Sequence, residues 1–156
     1  MENQPRKELV VSAIENGTVL DHIPAKSVFH VMKILALDNI ENQVLIGTNL
    51  DSKKFDKKGI IKVRDKFFIN KEVNKIALIA PSATLIEIRN YKVTYKKQVK
   101  TPTEITGSVK CVNPNCITNN ENISSKFTVL KNPDGELKLQ CHYCEKITDR
   151  KNMKFI

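Results

Sequence analysis

Four cysteines in the last third of this 156-residue chain are grouped as two hooks, Cys111 and Cys116 with four residues between them, and Cys141 and Cys144 with two. Short paired hooks of this kind can supply four thiolates to one tetrahedral zinc ion, with Zn–S bonds of about 2.3 Å. A shell filled by protein leaves no position for an activated water or a substrate, so such a site holds shape and performs no chemistry. Two disulfides are the alternative use of the same four residues. The polar start, from Met1 to Lys7, lacks the apolar core of a secretory signal, and no apolar stretch reaches membrane-spanning length. These features favour a reducing cytoplasm, where thiolates stay available for metal.

Asp21 and His22 are the other residues whose types could do chemistry. An acid–base couple is one reading; a strand-end pair that satisfies local backbone groups is the other. No phosphate-cradling glycine loop accompanies them, and the chain has only 5 glycines. Lys53, Lys54, Lys57 and Lys58 form a dense cluster, either a solvated loop or a means of concentrating an anionic ligand. Lys62 lies inside the apolar run Ile60-Ile61-Lys62-Val63, where the two-residue period can turn it away from the core. With Lys96 and Tyr91 further on, it can form a phosphate-binding edge.

The elements that must position these groups follow from periodicity. Residues 9–14 and 19–23 read as strands about Asn16-Gly17, and 27–37 as a helix with a wide apolar face that includes Phe29. Residues 43–50 and 59–63 read as a hairpin about a lysine-rich loop. Asn70 is the expected N-cap of a second helix stopped by Pro81, and residues 83–99 alternate as a last strand. The order is βαββαβ with a split first strand. It predicts an α+β, ferredoxin-like sandwich: a four-stranded antiparallel sheet with both helices on one face. Residues 98–107 read as a linker, dividing a first domain, 1–102, from a small all-β cysteine domain, 103–156. There, 124–130 and 136–141 are strand-like about Asn132-Pro133-Asp134-Gly135.

Lysine and arginine outnumber acids 26 to 17, for a formal charge of +9. The excess lies in the first domain, with 18 basic and 11 acidic residues to Pro102 against 8 and 6 beyond it. Four thiolates and a divalent ion would leave the cysteine domain near neutral. That balance, with only four arginines, weighs against a zinc-ribbon nucleic-acid binder, which stays a competing reading alongside an enzyme built on Asp21 and His22.

Five motifs carry a family resemblance. Gly17-Thr18-Val19-Leu20-Asp21-His22-Ile23-Pro24-Ala25, Ala80-Pro81-Ser82-Ala83-Thr84, Asn90-Tyr91, Cys111-Val112-Asn113-Pro114-Asn115-Cys116-Ile117 and Cys141-His142-Tyr143-Cys144-Glu145 resemble, in order, the aspartate carbamoyltransferase regulatory chain. The resemblance implies a non-catalytic subunit that binds CTP as inhibitor and ATP as activator of pyrimidine synthesis. It implies a nucleotide pocket lined by Ile14, Val19, Asp21, His22, Lys62, Ile88, Tyr91, Val93 and Lys96. Lys62 and Lys96 would pair phosphate oxygens, and Asp21 would accept from ribose hydroxyls. It implies one structural zinc ion on Cys111, Cys116, Cys141 and Cys144, and a catalytic-chain contact through Asn113, Asn115, Glu145 and Lys146. The expected assembly has regulatory dimers among six catalytic and six regulatory chains, with neither nucleic acid nor membrane as a partner. Glu8, Ser12 and Ile86 depart from the lysine, acidic residue and asparagine of the members compared, which bears on base selectivity.

Overall fold

The computed structural model describes residues 13–53 and 56–156. The expected strand over 9–14 falls largely outside them, as do Glu8, Ser12 and Lys54. The first domain comprises β1 (Gly17–Pro24), α1 (Val28–Ile34), β2 (Val44–Asp51), β3 (Lys57–Arg64), α2 (Asn70–Ile79), β4 (Thr84–Arg89) and β5 (Lys92–Gln98). Its antiparallel sheet runs β2-β3-β1-β4-β5. This is the expected βαββαβ order with a fifth strand added.

The extra strand arises because the expected single run over 83–99 folds back on itself. Asn90 (φ 53°) and Tyr91 (φ 63°) both take left-handed backbone, giving the two-residue hairpin turn whose twist matches its flanking strands. The first helix is also shorter than expected. It ends at Ile34, and Ala36 turns left-handed (φ 53°) before a short 3₁₀ turn. Phe29, expected to be buried, is 61% exposed, because α1 buries the stripe of Val28 and Val31. Asn70 is the first residue of α2 and not its cap; the Ile69 N–H is held by Glu72 Oε1 at 3.2 Å.

Period-2 alternation divides the sheet into two faces. Leu20 on β1 stands opposite Ile61 on β3 and Leu85 on β4. All three are buried with Val28, Val31, Ile76 and Ala77, so both helices cover this face. Each fully buried aliphatic side chain contributes about 1.5–3 kcal/mol. Gly59 admits α1 to the sheet, since a Cβ there would collide with Val28.

The second domain adds β6 (Glu104–Thr106), β7 (Val109–Lys110), α3 (Ile117–Asn120), β8 (Lys126–Lys131), β9 (Leu137–Cys141), β10 (Ile147–Asp149) and β11 (Lys154–Phe155). One sheet runs β10-β9-β8-β6, and β11 pairs with β7. The expected linker is correspondingly shorter. Val99 is buried in the first core and donates to Ala83 O, while Ile105 on β6 is buried in the second. Three-residue strands such as β6 are too short to show a period in sequence.

The second domain rests against the helical layer. Leu78 of α2 is buried in its core, Arg150 Nε donates to Leu78 O at 3.0 Å, and Lys75 Nζ donates to Ile156 O at 2.7 Å. Phe155 packs against both cores and meets the His30 ring edge-on at 6.2 Å. Among the described residues, no helix is long and apolar enough to cross a membrane.

Candidate effector surface and metal centre

Opposite the helices, one row of paired positions crosses the whole sheet: Leu45, Lys62, Val19, Ile86 and Lys96 on β2, β3, β1, β4 and β5. Two ammonium groups thus flank an apolar strip of Val19 and Ile86. Ile88 follows two residues beyond Ile86 on the same face, with Val93 as its register partner. Val93 is 60% and Tyr91 67% exposed, Tyr91 standing at the hairpin turn with its N–H donated to Glu15 O. Ile14 precedes β1 and is buried apart from both main cores. Ile86 places a hydrocarbon between Val19 and Lys96 in the row.

Burial lowers the Lys62 ammonium below its ordinary pKa, with Asp21 pulling the other way. Asp21 is in turn shaped by opposed effects. Burial raises its pKa, but Lys58 Nζ at 2.8 Å and the His22 N–H at 2.6 Å, both on Oδ1, leave it lowered overall. The pair satisfies local polar groups as expected, but inside β1 at a bulge and not at the strand end. His22 takes left-handed backbone (φ 56°) at a bulge in β1, its carbonyl accepts from Ser82 Oγ at 3.0 Å, and Nδ1 lies 3.0 Å from Thr84 Oγ1. Lys58, Ser82 and Thr84 join this surface through their contacts with Asp21 and His22. Their signal, strands β3 and β4 meeting β1, exists only once the pairing is known.

The four cysteine sulfurs lie within 4.8 Å of one another. Cys111 and Cys144 are 3.6 Å apart, and Cys116 and Cys141 3.7 Å, as unbonded thiols and not as disulfides. Four sulfurs about 2.3 Å from a central ion stand about 3.8 Å from each other in a tetrahedron, so the donor set fits a metal ion. Burial pushes the Cys111 thiol up to about 12 and raises Cys141. Cys144, despite its own burial, is drawn down to about 7 by the Lys146 N–H and Asn113.

Both hooks are braced by polar groups. Asn119 Nδ2 donates to the carbonyls of Cys111 (2.9 Å) and Asn113 (2.7 Å), and Asn120 Nδ2 to those of Pro114 and Cys116, both at 2.9 Å. Neither asparagine carries a signal in sequence, because α3 is a single turn. The second hook turns at Glu145 (φ 64°), with the Glu145 N–H on Cys141 O and the Cys141 N–H on Lys146 O. Asn115, Glu145 and Lys146 are exposed beside the cluster, and Asn113 is half-buried with Oδ1 accepting the Asn115 N–H at 3.0 Å.

A sheet with a lysine-flanked face free of helices, joined through its helical layer to a domain built on four cysteines, defines a two-part chain with one ligand-sized surface and one metal-binding cluster. The sequence comparisons agree. Residues 9–100 match the family model of the aspartate carbamoyltransferase regulatory chain, allosteric domain, and 103–154 that of its metal binding domain. The chain is 46% identical over 154 residues to the aspartate carbamoyltransferase regulatory chain of Bacteroides fragilis, covering 99% of each. It is 51% identical over 149 residues to that of Pyrococcus horikoshii, covering 94% of this chain and 96% of the relative. The chain belongs to the aspartate carbamoyltransferase regulatory chain family, and is thus a regulatory and not a catalytic chain.

Proposed function

We propose that this chain senses CTP and ATP on the helix-free face of its first sheet and transmits that state to attached catalytic chains of aspartate carbamoyltransferase. The observation that carries the proposal is the row in which Lys62 and Lys96 flank Val19 and Ile86. Ammonium groups suit the phosphates, the apolar strip with Ile88 and Val93 suits the base, and exposed Tyr91 bounds it. Ile14, Asp21 and His22 complete the surface, with Lys58 holding Asp21 in place as a ribose acceptor.

Zinc is the proposed metal: four soft thiolates select it, and a closed shell gives it a structural task. Cys111, Cys116, Cys141 and Cys144 would hold it, and Asn113, Asn115, Glu145 and Lys146, on the loops it pins, would meet the catalytic chain. On this reading residues 1–102 bind effector and 103–156 bind metal and partner, within a cytoplasmic assembly of six regulatory and six catalytic chains.

A nucleotide shifts a quaternary equilibrium only through unequal affinity for its two states, a tenfold preference amounting to about 1.4 kcal/mol per site. The test is aspartate saturation of the complex reconstituted with catalytic chains. CTP should raise and ATP lower the half-saturating aspartate concentration. Identical curves with nucleotide bound would refute the proposal.

A further inference from the structure

Between Glu87 and Glu104 the chain carries Arg89, Lys92, Lys96, Lys97 and Lys100 and no acid. Every residue of β5 is exposed, and among the described residues no strand pairs with its outer side. The Val99 N–H donates to Ala83 O at 2.9 Å. The alternation of an antiparallel strand then turns the amides of Lys97 and Tyr95 toward β4 and those of Lys96 and Gln98 outward.

Lysines on an open edge serve one general purpose: like charges prevent the edge from pairing with a second copy of itself. Here the charge continues off the strand. A groove of about 700 Å³ runs from β5 to β8, with Pro81, Val99 and Val129 along it and Lys97, Lys100 and Lys131 beside them. Lys131 comes from the other domain, and no carboxylate lines the groove.

We infer that the β5 edge and this groove form a docking surface for an extended acidic segment of a partner protein. The segment adds as a sixth strand, its backbone pairing with the outward amides of Lys96 and Gln98, while alternate carboxylates meet Lys97, Lys100 and Lys131. An edge that repels its own copy thereby accepts a strand of opposite charge. This surface is distinct from the nucleotide row, which uses the face of the sheet and not its edge.

The probe is an octapeptide alternating glutamate and valine, titrated into the full-length zinc-loaded chain near physiological salt. Saturable binding is expected, weakened about tenfold in the triple variant K97Q/K100Q/K131Q, with surface pairs of this kind each adding modestly. Nucleotide affinity of the triple variant should be unchanged, which certifies its fold. Hydrogen exchange should slow at the Lys96 and Gln98 amides when peptide is bound. The inference is overturned if no peptide binds, if the triple variant binds equally well, or if those amides stay unprotected. It is overturned equally if a proline-interrupted peptide of the same charge, a glutamine–valine peptide or an oligothymidylate of equal charge binds as tightly as the probe.

Discussion

On the proposed reading Lys62 is the side chain on which effector binding turns, because it is partly buried and its charge is already disfavoured. Removing it as Lys62→Met should weaken CTP and ATP binding about 10- to 100-fold, the scale of a hydrogen bond to a charged group, and Lys96→Met should act in the same direction. Isothermal titration checks both. A triphosphate favours the ammonium form, so binding should fall as pH rises through the Lys62 pKa, which lies below that of an ordinary lysine. Lys62→Arg, charged throughout, should flatten that fall. Asp21 acts oppositely on stability: its pKa is lowered, so its contribution is present above the unfolded value and lost as pH falls through the folded one. Asp21→Asn should blunt that part of acid unfolding, followed by circular dichroism. Lys62 and the cysteines were legible in sequence because strand period and hook spacing are local signals. Lys58 was not, because the lysine run concealed where β3 begins, and only the pairing of β3 with β1 brings Lys58 to Asp21.

At the scale of elements, close approach and turn chemistry set the tolerances. Gly59→Ala should cost about 1–3 kcal/mol by driving a methyl into Val28, lowering the thermal midpoint without touching nucleotide contacts. In the β4–β5 turn, Asn90→Gly should be neutral, whereas Asn90→Val, forced to positive φ, should cost about 1–2 kcal/mol in denaturant titration. That turn also explains what the sequence concealed. Leu85, Ile88, Tyr91, Val93 and Tyr95 read as one alternation, and Asn-Tyr is not among the dipeptides that announce a hairpin. The helices and the other strands stood out because their apolar periods are long. Strand β6 did not, because three residues carry no period, and its place is decided by Ile105 entering the second core.

For the whole molecule, metal and assembly should separate from effector binding. Cys141→Ala should abolish the metal site and association with catalytic chains while nucleotide binding persists, checked by metal analysis, gel filtration and titration. Arg150, holding the last-turn carbonyl of Leu78, joins the second domain to the helical layer. Arg150→Gln should therefore leave nucleotide affinity intact while shrinking the nucleotide-dependent change in aspartate half-saturation. The two-domain order was legible because cysteine spacing marked the second unit. The contact between domains was not, since Leu78 looks like any other apolar residue of its helix until Arg150 and Phe155 arrive from 70 and more residues away. Lys62 and Lys96 stand on β3 and β5 with two strands between them, three spacings or about 14 Å. On the proposed reading both ammonium groups hold phosphates, so a bound triphosphate would brace β3 against β5 across a sheet whose neighbouring strands rotate by about 20–25°, with the helices packed on the reverse side of what it braces.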